Sequence, residues 1–140
     1  MILDEMLGYV ICRVARKIHY RIDEAFTAYG ITVEQWSALK IIEEHEQENL
    51  CQKELAGYLE KNQNTVKTLV SHLEQKEFIK RSPDAHDKRN MLLHTTEKGQ
   101  LLIQKLSALD QKANLDLLED LSPGEREALK KILAKIEKRV

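Results

Sequence analysis

The sequence predicts a mainly α fold with a small β-hairpin wing: a winged helix-turn-helix flanked by long helices at both ends of the chain. Three observations carry that expectation. Apolar residues recur at three- and four-residue steps towards both ends. In the middle, a short helical stretch is followed by an amphipathic one that opens with the polar run NQNTVKT. That second helix then gives way to two short strand-like runs joined by a loop carrying Lys88 and Arg89.

Taken in order, Met6, Leu7, Val10, Ile11, Val14, Ile18, Ile22, Ala25 and Phe26 make one long helix with a wide apolar stripe. Gly30 ends it, because glycine enters the left-handed cap without a Cβ penalty. Thr32 and Gln35 have capping-box spacing, each side chain satisfying an otherwise unpaired amide. They head a helix through Trp36, Leu39, Ile41 and Ile42, and EEHEQEN is its polar exit. A short helix at about Gln52 to Leu59 turns Leu55, Ala56 and Leu59 inward. Asn62 caps the next one, whose inward stripe is Val66, Leu69, Val70 and Leu73. Ile79 to Ser82 and Met91 to Thr95 read as paired strands, with Pro83 marking the turn region. Thr96 caps a further long helix containing Leu101, Leu102, Leu106, Leu109, Ala113, Leu117 and Leu118. Ser122, Pro123 and Glu125 repeat the capping-box logic before a last helix through Ala128, Leu129, Ile132, Leu133 and Ile136.

The expected organisation is a single domain over 1–140, with the winged helix-turn-helix at 30–98 and dimerisation helices at 1–29 and 99–140. The terminal stripes exceed what one small winged-helix core can cover, and each buried Leu or Ile gains roughly 1.5–3 kcal/mol. A two-fold homodimer covers them economically; folding back on the same subunit is the alternative.

Composition fits a helix-rich globular chain of 140 residues, 42% hydrophobic and 32% charged, too apolar for disorder. No apolar run approaches the roughly 20 residues that span a bilayer, and Asp4, Glu5 and Arg13 interrupt any signal-peptide pattern. Cys12 and Cys51 lack CxxC spacing, so neither a disulfide framework nor a zinc knuckle is implied. Cytoplasmic residence is the expectation. The net charge of −1 is uneven: residues 61–90 carry +3 and the rest −4. A local cationic face is what phosphates feel. A polar-fronted helix followed by a basic hairpin suits duplex DNA, with the helix in the major groove and the hairpin at an adjacent backbone or minor groove.

Three segments, ITVEQWSALKII, QKELAGYLEKNQNTVKTLVSHLEQKEFIKR and DAHDKRNMLLHTTEKG, together resemble the MarR family of bacterial transcription regulators over nearly the whole chain. The resemblance implies a homodimer on a palindromic operator. It also implies release from DNA when a small ligand or oxidant acts near the junction of dimer and DNA-binding parts. Arg89 then matches the wing-tip arginine of the minor groove, beside Lys88, and Asp87 the acid that orients it. A guanidinium held by a carboxylate is already posed for a narrow, electronegative groove; an ordinary exposed ion pair would read the same. Gln63, Asn64, Thr65, Lys67 and Thr68 fall in the two turns where family members touch bases and phosphates. Gln and Asn suit adenine, while Lys67 suits guanine or a phosphate. Thr65 is equally a cap partner of Asn62. The chain departs from the family pattern at Glu77, where relatives commonly have Gly, which implies a different helix exit or local strain. Cys51 stands where Ser or Thr often caps, and Gly57 weakens the same short helix.

Other chemistries fare less well. Cys12, among Val10, Ile11 and Val14, reads as an apolar thiol of blunted reactivity. His19, His45, His72, His86 and His94 are scattered, and His45 beside Glu43 and Glu44 reads as a solvated helix end rather than a metal site. Neither a phosphate-cradling glycine loop nor a nucleophile elbow is present, so no enzyme and no cofactor are expected. A candidate effector pocket where the first, second and fifth helices meet would use Arg16, His19, Trp36 and Lys40. An anion would go to the cations and a ring to Trp36, unless Trp36 is simply core. The competing functional class is a winged-helix module for protein–protein assembly, its basic face taking an acidic partner.

Overall fold

The computed structural model describes residues 2–140, and the expected order of elements is what it shows. A 3₁₀ turn (Leu3–Glu5) precedes α1 (Leu7–Thr27); α2 (Val33–Glu44) exits through a second 3₁₀ turn (Glu46–Glu48). Then follow α3 (Gln52–Leu59), α4 (Gln63–Gln75), β1 (Ile79–Pro83), β2 (Met91–Thr95), α5 (Glu97–Leu117) and α6 (Pro123–Glu137). The chain divides into two compact units, one ending at Leu106 and one spanning Ser107–Val140, so the boundary falls inside α5.

The first unit holds the core. Phe26, Leu39, Ile42, Leu50, Leu55, Val66, Val70, Leu73, Ile79, Leu93 and Leu106 are fully buried. The caps account for the helix starts. Thr32 and Gln35 form the expected box, with Gln35 N donating to Thr32 Oγ1 at 3.1 Å and Thr32 N to Gln35 Oε1 at 3.2 Å. Asn62 Oδ1 accepts from Thr65 N at 2.8 Å, and Thr96 Oγ1 from Gly99 N at 3.0 Å. At α3 the capping partner of Cys51 is Glu54, whose carboxylate accepts the Cys51 N–H at 3.2 Å. Gly30 takes the left-handed conformation, φ 71°.

β1 and β2 pair antiparallel from Ile79↔Thr95 to Pro83↔Met91. The sequence gives no hint of their third partner. Leu93 N donates to Leu50 O at 2.8 Å, and Cys51 bridges to Leu92, so the segment before α3 adds an edge to the hairpin. Glu46 closes the other end of β2, accepting from Thr95 N at 3.2 Å with His94 Nδ1 at 3.5 Å.

Two apolar stripes lie largely outside the core of the single chain. Leu101 is 61% exposed, and Gly99, Ile103 and Leu106 form the buried side of α5. In α1 only Phe26 is buried, while Leu7, Tyr9, Val14 and Tyr20 are exposed. Cys12 is likewise exposed on the single chain, in place of the apolar site expected, while Cys51 is buried and its thiol is pushed up by that burial. In the second unit Ser122 and Glu125 form a complete capping box with Pro123 at the head of α6. No residue of α6 is buried, and Leu129, Ile132, Leu133 and Ile136 are open to solvent. Among the described residues no helix is long and apolar enough to cross a membrane.

Glu77 answers the question its sequence position raised. Its N–H donates to Glu74 O at 2.9 Å and the Phe78 N–H to Leu73 O at 3.0 Å, the hydrogen-bond pair of a Schellman exit. The helix therefore ends as a glycine would end it, with Glu77 in the left-handed region at φ 64°. A non-glycine residue there costs about 1–2 kcal/mol, and glycine gives back roughly 0.5–1 kcal/mol as unfolded-chain entropy. Glu77→Gly should therefore stabilise the fold by about 0.5–1 kcal/mol. A rise in the urea midpoint at unchanged slope would show it, and a fall would mean that the side chain does more than tolerate the turn.

Candidate nucleic-acid interface

Helix α4 separates its residues by face. Val66, Leu69, Val70 and Leu73 are buried against α2 and α3, whereas Gln63, Asn64, Thr65, Lys67 and Thr68 are all exposed. The Asn62 cap uses the Thr65 backbone amide, leaving the Thr65 side chain on the surface. Thr68 Oγ1 donates back to Asn64 O at 3.2 Å. The outcome is a solvent-facing row of amide, hydroxyl and ammonium groups over the first two turns, on a helix whose other side is locked in the core.

The wing loop is held by its own backbone. Asp84 N donates to Asn90 O and Asn90 N to Asp87 O, each at 3.0 Å. Asp84 Oδ1 accepts from His86 N at 2.9 Å and Asp87 Oδ1 from Arg89 N at 3.0 Å. The Asp87 carboxylate therefore shapes the turn first, and lies 3.5 Å from the Arg89 Nε second. The Arg89 side chain is 93% exposed. Lys88 is exposed beside it.

A third group, absent from the sequence reading, links helix and wing. Arg81 on β1 donates from Nε to Glu74 Oε2 at 3.0 Å and from Nη2 to Glu74 Oε1 at 2.7 Å. Arg81 holds the Glu74 carboxyl below its ordinary value and is itself raised. A depressed carboxyl contributes stability that is complete above its unfolded value near 4.5 and lost as pH falls through the folded value. Glu74→Gln should therefore cost stability at pH 7, by at most about 1 kcal/mol for a pair this exposed. Denaturation curves of variant and parent should converge below pH 4.5; a constant gap down to acid pH would contradict the assignment.

The four candidate pocket residues are not gathered into one cavity. Trp36 is 5% exposed and packs on Phe26 with ring centroids 5.6 Å apart. His19 Nε2 lies 3.1 Å from Glu34, and Lys40 Nζ donates to Glu43 at 2.9 Å. Arg16 lines an open groove along α1 with Arg13, Lys17 and Tyr20. Among the described residues no cluster of His, Cys, Asp and Glu could hold a metal ion.

Comparison with known proteins agrees with this geometry. Residues 31–91 match the model of the MarR family. The chain is 27% identical over 133 residues to the Escherichia coli HTH-type transcriptional regulator PapX, covering 95% of this chain and 81% of the relative. It is 28% identical over 136 residues to MgrA, a Staphylococcus aureus regulator of the same type, covering 96% and 89%. A crystal structure of the S. aureus MepR–DNA complex superimposes with a TM-score of 0.90 at 27% identity, covering 95% of this chain and 97% of that one.

Proposed function

We propose, from the match of residues 31–91 to the MarR family, that the chain is a sequence-specific, double-stranded-DNA-binding transcription regulator. It acts as a homodimeric repressor on a palindromic operator and responds to a ligand. The observation that carries the reading is the pairing of an exposed polar row on α4 with the exposed Arg89 at the wing. Gln63, Asn64, Thr65, Lys67 and Thr68 would meet base edges and phosphates in the major groove, and Arg89, with Lys88 and shaped by Asp87, the adjacent minor groove. The MepR complex with DNA, on the same fold, supports this use of the surface.

Homodimerisation is supported by α6, which has no buried residue in the single chain although Leu129, Ile132, Leu133 and Ile136 lie on it. Two copies would set two reading helices about one DNA turn apart, the spacing a palindrome matches. The ligand response is supported by Arg16 in its cationic groove, where the carboxylate of an aromatic acid would be drawn.

Selection of bound sequences from a random duplex pool tests the reading. A palindromic consensus is the expected result. No duplex capture at low salt would move the chain to the protein–protein assembly class.

A further inference from the structure

We propose that Glu74 and Arg81 act as a positioning clamp, setting the angle of the wing against α4 so that DNA affinity depends on a pair that contacts no DNA. The inference rests on the DNA-binding reading above. Only residues 76–78 separate α4 from β1, and the other ties at this joint gather at its base. Phe78 O accepts from Thr96 N at 3.0 Å and Glu77 O from Thr96 Oγ1 at 2.5 Å. The Glu74–Arg81 pair reaches further out, two residues beyond Ile79.

Its two parallel hydrogen bonds fix direction as well as distance, which a single bond to a lysine would not. Leverage makes the direction matter. At about 3.3 Å per residue, a five-residue strand places the tip roughly 16 Å from the pivot, so a ~10° swing displaces it by about 3 Å. That is the difference between an arginine in a narrow groove and one outside it. Arg81 is 28% exposed and turned back onto the helix, unlike Arg89 at the wing tip.

The test uses the full chain, fluorescence anisotropy with the selected duplex, and a double-mutant cycle. Glu74→Gln and Arg81→Lys are each measured with and without Arg89→Ala, and far-UV circular dichroism and thermal midpoint report folding. The expected result is that Glu74→Gln, in a folded protein, weakens binding about as much as Arg89→Ala does in the parent, roughly 5- to 150-fold for each wing engaged. In that background Arg89→Ala should cost less than about twofold, because the wing no longer delivers the side chain. Arg81→Lys should behave in the same way. An equal Arg89→Ala penalty in both backgrounds overturns the clamp alone. So does tighter, more salt-sensitive binding by Glu74→Gln, which would make Arg81 a masked phosphate ligand. Absence of duplex capture by the parent chain removes the DNA-binding reading and the clamp with it.

Discussion

Gly99→Ala should destabilise the protein by about 2–4 kcal/mol, more than any exposed substitution on the chain. A Cβ built on Gly99 lies 2.1 Å from Phe78 O and 3.0 Å from Phe78 C. Both are backbone atoms, so no side-chain rotation relieves the clash. The start of α5 has to lift, and three hydrogen bonds are disturbed with it. Thr96 Oγ1 would lose its place between Gly99 N and Glu77 O, a cap worth about 1 kcal/mol, and the Thr96 N–H to Phe78 O bond would lengthen. The helix propensity gained from alanine, about 1 kcal/mol, offsets only part. The same substitution at Gly57 in α3 meets nothing within 4 Å and should stabilise by about 0.5–1 kcal/mol. Thermal denaturation at one fixed protein concentration compares the pair. Similar midpoints for the two variants would mean that the contact between α5 and the Phe78 backbone is loose in solution.

That contact also marks the limit of what local sequence signals encode. Helices, caps and the hairpin were legible because each rests on local signals: a 3.6-residue period, Thr32 with Gln35, Asn62, Ser122 with Pro123, and alternation around Leu93. Leu101 fits the apolar period of α5, yet the rotation of that helix is set by Gly99 against Phe78. With Gly99 facing in, Ile103 and Leu106 follow on the same side, and Leu101 lies about 200° away. The Glu74–Arg81 pair crosses from a helix to a strand, where neither period applies, and the Leu50–Leu93 hydrogen bond joins residues far apart in sequence. Long-range partners leave no periodic trace. Trp36 shows the converse case: chemistry suggested a ligand stack, but the same ring on an inward face packs on Phe26. The polar row of α4 and the wing-loop acid and arginine were visible because exposed polar residues on an amphipathic helix need no partner to be recognised.

Arg89→Ala should weaken specific duplex binding by about 1–3 kcal/mol per wing, roughly 5- to 150-fold for each wing engaged. In the free protein the Arg89 side chain holds little together. At 93% exposure, with one 3.5 Å approach to Asp87, its removal should change stability by no more than about 0.5 kcal/mol. Lost affinity is then lost contact. Two modes of contact can be separated. Bound only to phosphate, Arg89 would contribute uniformly to all sequences, and its loss would lower the salt slope by about 0.9 per phosphate. In a narrow A·T minor groove the loss would fall mainly on sequences with that groove shape. Arg89→Lys distinguishes charge from shape, since lysine keeps the charge but not the planar, weakly hydrated fork. Because Asp87 Oδ1 also caps the Arg89 amide at 3.0 Å, Asp87→Ala should mimic part of the effect by loosening the turn, whereas Asp87→Asn, which preserves an acceptor, should mimic less. Anisotropy titrations at several salt concentrations against the selected duplex and a scrambled one provide the measurement. Equal affinity of Arg89→Ala and parent on the selected duplex would remove the wing from the interface and leave α4 to account for binding alone.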